Sequence, residues 1–193
     1  MMDNYSIRSR SREFMEGKWK TCALIMLIFC IVCGGVGAIP GAGFIISLLI
    51  GGPLALSLAY IFLRITRGED VTVEMIFKGF EDYSRSLVAM LLTTVYIILW
   101  SLLLLVPGII AGLSYSMTYF ILSENPNISA SEAITMSKEM MRGHKTELAL
   151  LAVSFLGWFL LGIITCGIAM LWVGSYYYTA IAIFYQEIKG QVA

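Results

Sequence analysis

Six long apolar stretches, at about 19–39, 43–64, 87–106, 108–123, 147–165 and 168–186, hold no Asp, Glu, Lys, Arg or His between their interfaces. A helix crosses the hydrocarbon of a bilayer with about 20 apolar residues at a rise of about 1.5 Å each, so every stretch is a candidate span. The composition agrees, with 59% hydrophobic and 13% charged residues and a mean hydropathy of +0.83. A soluble domain carries roughly 25% charged residues. Thirteen basic side chains balance thirteen acidic ones, which excludes the basic excess of a nucleic-acid binder. The apolar content excludes a disordered chain. The expected fold is an all-α polytopic membrane bundle, one domain over residues 1–193, with six transmembrane helices arranged as three hairpins.

The tract from Leu87 to Leu122 is too long for one span and must reverse. Proline lacks an N–H and disfavours helix in the residue before it, so the turn is expected at Pro107 and Gly108. Pro40 and Gly41 are expected to act likewise earlier, and Thr165, Cys166 and Gly167 later. Six spans put every Lys and Arg, from Arg8 to Lys189, on the side of the N-terminus, and leave the three opposite turns without one. The positive-inside rule then predicts both termini in the cytoplasm of a bacterial plasma membrane. The apolar run from Thr21 to Ile39 exceeds the core of a signal peptide and lacks an A-x-A site, so it reads as a retained first span. Trp19, between Lys18 and Lys20, reads as an interfacial anchor.

A threefold pattern follows from the spans: a short amphipathic helix, a span, a turn and a returning span. The short helices are expected at about 5–17, 72–84 and 129–143. The third is marked by the capping-box sequence Ser129-Ala130-Ser131-Glu132, the stripe Ala133, Met136, Met140 and Met141, and a closing Gly143. The second carries Val73, Ile76, Phe77 and Phe80 on one face. Such helices either lie in the membrane interface or pack on the spans as lids.

Ionisable residues inside a membrane mark proton relays, ion sites and catalytic dyads, so their lack argues against a proton-coupled pump or an intramembrane protease. Cys30 and Cys33 form a C-x-x-C without neighbouring His, Asp or Glu, and Cys22 and Cys166 also sit in apolar runs. All four read as packing residues, with no metal or cofactor implied. Gly51-Gly52-Pro53 reads as a helix kink, or as freed carbonyls for a cation. Gly108, Gly112 and Ser116 stand four apart, as small residues do where helices approach closely. Tyr115, Tyr119, Tyr176, Tyr177 and Tyr178 either line a polar pathway or headgroup pocket, or satisfy backbone groups within the bundle. Arg142, His144 and Lys145, at the end of the third short helix, form a basic cluster suited to anionic headgroups. His144 with Glu147 lacks the nucleophile that acid–base chemistry would serve.

The segments Pro107-Gly108-Ile109-Ile110, Tyr115-Ser116-Met117, Asn125-Pro126, Ser131 to Ala133, Ser137-Lys138 to Met141, Gly143-His144-Lys145, Ser154 to Leu161 and the Tyr-rich last span carry a resemblance. With Phe77-Lys78-Gly79-Phe80, they resemble a family of bacterial integral membrane proteins of the Firmicutes type, domain of unknown function 975. The layout is distantly similar to the membrane domain of glycerophosphodiester phosphodiesterases, whose catalytic domain has no counterpart here. That similarity implies lipid-related work and carries over no activity. The expected function is therefore non-enzymatic: binding membrane lipid, or organising another membrane protein or a second copy, from the cytoplasmic face. The competing expectation is a small permease or exporter of a hydrophobic or amphiphilic compound.

Overall fold

A computed structural model of the protein describes residues 4–37, 43–165 and 167–192. Pro40, Gly41 and Cys166, and with them the first expected turn, lie outside the described residues. The elements are α1 (Asn4–Met15), α2 (Trp19–Gly37), α3 (Gly43–Thr66), a 3₁₀ helix (Val73–Phe80), α4 (Tyr83–Leu103), α5 (Leu105–Tyr115), α6 (Thr118–Glu124), α7 (Ala130–Met140), α8 (Lys145–Ser154), α9 (Leu156–Ile164) and α10 (Met170–Val192). There is no strand among the described residues, so the all-α expectation holds. Among the described residues five segments are long and apolar enough to cross a membrane: Trp19–Val36, Ile45–Thr66, Tyr83–Leu102, Val106–Glu124 and Lys145–Ile164. Successive helices pack as pairs, α2 with α3, α4 with α5, and α9 with α10.

The closing helix α10 differs from these five. It packs on α1, α2, α3 and α9 and buries Tyr176, Ala180, Ile183, Phe184, Tyr185 and Ile188. A helix surrounded by protein does not need the uniformly apolar surface that lipid demands, which accounts for its Ser, Thr and Tyr content.

Two of the expected spans are broken rather than continuous. The span expected at 108–123 divides at Ser116 and Met117, where the Met117 N–H donates to Ser137 Oγ of α7 at 3.2 Å. That hydroxyl donates in turn to the Ser114 carbonyl at 2.8 Å. A side chain inserted into the i→i−4 ladder breaks a helix, and this one also satisfies the groups it frees. The span expected at 147–165 divides at Phe155, a fully buried residue packed between Tyr176 and Tyr177 at ring distances of 4.9 and 5.3 Å.

The reversal expected at Pro107-Gly108 occurs at Leu104, which is extended (φ −164°, ψ 150°). Pro107 lies in the first turn of α5, where no intrahelical partner needs its N–H. Gly108 packs against Ser101, where a Cβ would collide with that residue's backbone and hydroxyl. Gly112 meets nothing within 4 Å of a notional Cβ, and the Ser116 hydroxyl donates to its own helix at Leu113. The four-residue spacing is thus not one packing stripe: the buried face of α5 runs through Gly108, Ala111 and Ser114. Across Gly51-Gly52-Pro53, α3 continues as helix.

The short elements mostly act as lids. Ile7, Ser11 and Met15 of α1 are buried against α10. On α7 the buried residues are Ala130, Ala133, Ile134 and Ser137, whereas Met136 is exposed, so the stripe is rotated from the expected one towards Ser137. The second short helix is 3₁₀ rather than α. It seats Gly79 so tightly on Pro53 and Ser57 that no Cβ fits, with the Gly79 N–H donating to Ser57 Oγ at 2.8 Å. Its Phe77 and Phe80 remain exposed, as on a helix dipping into an interface.

Candidate functional site: a groove ending on two lysines

Anchoring begins at the charged end. The Glu124 carboxylate closes α6 and accepts from Tyr185 Oη at 2.6 Å and Lys189 Nζ at 2.6 Å, and from the Arg67 guanidinium. Arg10 pairs with Glu187, and Lys18 Nζ donates to the carbonyls of Gly68 and Glu69. Arg85 donates to the Asn125 and Ile128 carbonyls at 2.6 and 2.9 Å. Charges from loops distant in sequence therefore meet at one end of the bundle.

From that frame α7 is laid across the α4–α5 pair. Its N-terminus is fixed by the capping box: Glu132 N–H donates to Ser129 Oγ at 3.3 Å, and Ser129 N–H to Glu132 Oε2 at 2.7 Å. These bonds to the Ser129 backbone and hydroxyl hold the Glu132 carboxyl below its ordinary range. Gly143, at φ +86°, turns the chain after α7 so that α8 starts at Lys145.

Between α4, α5 and α7 lie two adjoining cavities of about 250 and 360 Å³. They share Trp100, Tyr115 and Lys138 as common walls. The first adds Pro107, Ile110, Ala111, Ser114 and Lys145. The second adds Tyr96, Ser131, Ile134 and Thr135. Tyr96 and Tyr115 pack at 5.8 Å. The first cavity is chiefly apolar and the second is about half polar; Ser114, Tyr96, Tyr115, Ser131 and Thr135 bring hydroxyl-bearing side chains to them beside Lys138 and Lys145. Neither Lys138 nor Lys145 has an ion-pair partner among the described residues. An apolar slot that leads to two lysines without a salt-bridge partner suits an anionic amphiphile.

A family described as a protein of unknown function (DUF975) matches residues 1–111 and 102–192. The chain belongs to this family. No curated protein and no solved structure matches it. In this DUF975 protein the expected site residues are only partly brought together. Of the basic cluster, Lys145 reaches the groove, whereas Arg142 is exposed away from it. His144 Nδ1 pairs with Glu147 Oε2 at 3.0 Å, which places a carboxylate at the start of α8 where the helix dipole favours it.

The five tyrosines are only partly brought together. Tyr115 lines the groove. Tyr119 lies by Thr93 and Tyr178, and Tyr178 stacks on Phe62 at 5.4 Å. Tyr177 packs on Phe155 and Phe159. Tyr176 Oη donates to the Arg8 carbonyl at 3.0 Å. Consecutive residues on a helix point about 100° apart, so the three rings diverge, although Tyr176 and Tyr177 both pack on Phe155. Sequence reasoning did not select Trp100, Ser137 or Lys138 as site residues. For the last two the available signal was position: Lys138 follows Ser137, the most inserted residue of α7, and stands on the flank of the same buried face.

Proposed function

We propose that this protein is a non-enzymatic, six-pass plasma-membrane protein that holds an anionic membrane lipid in the Trp100–Lys138–Lys145 groove from the cytoplasmic side. The observation that carries the reading is the groove itself, apolar along Trp100, Pro107 and Ile110 and lined by two lysines that make no salt bridge among the described residues. Acyl chains fit against Trp100, Ile110 and Pro107, and a phosphate fits between the ammonium groups, where each lysine contributes about 1 kcal/mol of attraction. Orientation follows the distribution of Lys and Arg. A permease is favoured less, because Tyr115 stands apart in the groove and the Tyr176 hydroxyl is taken up by the Arg8 carbonyl.

Native mass spectrometry of the protein extracted gently with its own lipids tests the proposal. A retained anionic lipid is expected on the wild type, with retention reduced about tenfold or more in Lys138→Gln/Lys145→Gln. Bare protein, or an adduct indifferent to both substitutions, overturns it. Orientation is tested separately by impermeant thiol labelling of Leu104→Cys and Ser131→Cys in cells. The first should react from outside and the second should not.

A further inference from the structure

Three of the protein's four tryptophans, far apart in sequence, meet at one place. Trp19 at the start of α2, Trp158 on α9 and Trp172 on α10 line a cavity of about 90 Å³ with Tyr176, and Val173 and Arg12 of α1 complete the lining. The Tyr176 ring lies 6.4 Å from Trp19 at 53° and 6.2 Å from Trp158 at 88°. The rings are therefore walls set at angles to one another, not a closed stack. Tyr176 spends its hydroxyl on the Arg8 carbonyl, and no polar atom surfaces in the cavity. The cation–π pairs among the described residues are Arg8 over Phe155 and Arg64 over Tyr60, so the box is not filled by an arginine of its own.

The chemistry of such walls is selective. Aromatic faces attract a cation through the ring quadrupole. A primary ammonium would leave its N–H donors unpaired against these walls, at a desolvation cost. A quaternary ammonium has no N–H to satisfy. Arg12 lines the cavity without exposing a polar atom to it, so its guanidinium lies outside the box and opposes a ligand that is only cationic. Among the described residues it has no ion-pair partner. A zwitterion with an anionic group a few bonds from its ammonium turns that opposition into attraction.

We propose that the Trp19–Trp158–Trp172–Tyr176 box binds the trimethylammonium group of a zwitterion whose anionic group pairs with Arg12. This site is separate from the lysine groove and does not depend on it. Trp158 and Trp172 are 40% and 45% exposed, so the box opens at the surface of the protein.

The tryptophans supply the readout. The full-length protein, in a maltoside detergent free of choline, is titrated with phosphocholine and with 3,3-dimethylbutyl phosphate, its uncharged-head isostere, while tryptophan emission is followed. A saturable change is expected, with phosphocholine binding about tenfold tighter than the isostere. Arg12→Gln, at an exposed position, should weaken phosphocholine about fivefold while leaving choline as tight or tighter. Trp158→Leu should abolish the response. Equal affinity for the two phosphates reduces the box to an apolar slot and overturns the proposal, as does the lack of any saturable change in the folded wild type. Competition by dioleoylphosphatidylcholine in nanodiscs identifies the source as a lipid headgroup. Competition by soluble phosphocholine alone identifies a free solute.

Discussion

The two ends of this bundle are built on different terms. At the charged end, Ile25, Leu58, Ile61, Phe62, Ile65, Met117, Ile183 and Phe184 are all fully buried, and polar links tie the helices above them. At the other end Ile98, Leu99, Leu102, Leu104, Val106, Leu160, Ile163, Ile164 and Ile168 are between 58% and 85% exposed. The second set is more apolar and yet less packed. In water this would be an aggregating surface. In lipid it gains nothing by burial, because acyl chains solvate leucine as well as another leucine does. Apolarity therefore does not hold these helices together. Interlocking shape and polar cross-links do, and the charged end is where the sequence provides them.

Matched truncations test that contrast most severely. Phe62→Ala, in the packed end, should cost about 3–5 kcal/mol through the cavity it leaves. Ile163→Ala, 71% exposed at the other end, should change stability by less than about 0.5 kcal/mol. Thermal unfolding in detergent reads both, and equal losses would remove the distinction. Ser137→Ala comes next, since it orphans the Met117 N–H and the Ser114 carbonyl inside the packed end. A loss of about 2 kcal/mol or more is expected, together with weaker lipid retention in the groove. Glu124→Gln removes one carboxylate from three partners. Because Arg67 and Lys189 are half exposed, water compensates them, and the cost should be only about 1–2 kcal/mol.

The smallest effect is a pH dependence at the start of α7. The Glu132 carboxyl is held low by its bonds to Ser129, so its contribution is complete above the ordinary carboxylate range. It is lost as pH falls through the depressed folded value. Amide exchange at Ser129 to Glu132, corrected for intrinsic rates, should speed up on acidification below about pH 4.5. In Glu132→Gln that step should vanish, and a step that persists would locate the titration elsewhere.

Much of the architecture was legible in local chemistry. The capping box at Ser129 and Glu132 forms as written, because its partners are three residues apart. Gly143 sits at positive φ at the end of α7 as expected. Five of the six apolar stretches became helical segments long and apolar enough for a membrane, two of them broken within, and the charged loops gather at one end. The turn at Pro107 was misplaced by only a few residues, since proline is as well suited to the first turn of a helix as to the reversal before it.

Partners distant in sequence were not legible. Nothing within the runs Ala111–Glu124 or Lys145–Ile164 marks their breaks at Met117 and Phe155. The cause of the first is a serine on α7 and the setting of the second is a pair of tyrosines on α10. For the tyrosines the sequence left open a polar pathway or pocket or hydroxyls satisfied within the bundle, because sequence spacing does not say which neighbour each ring will face. Sequence by itself determined the class of the protein, its helical segments, their caps and the segregation of charge, because hydropathy and capping act over a few residues. Tertiary structure alone decided which face of α7 is buried, that Lys138 and Lys145 close one groove with Trp100, and that Trp19, Trp158 and Trp172 form one box. In a bundle a side chain's surroundings are set by whichever helix packs against it, and that choice is made by shape across the whole chain.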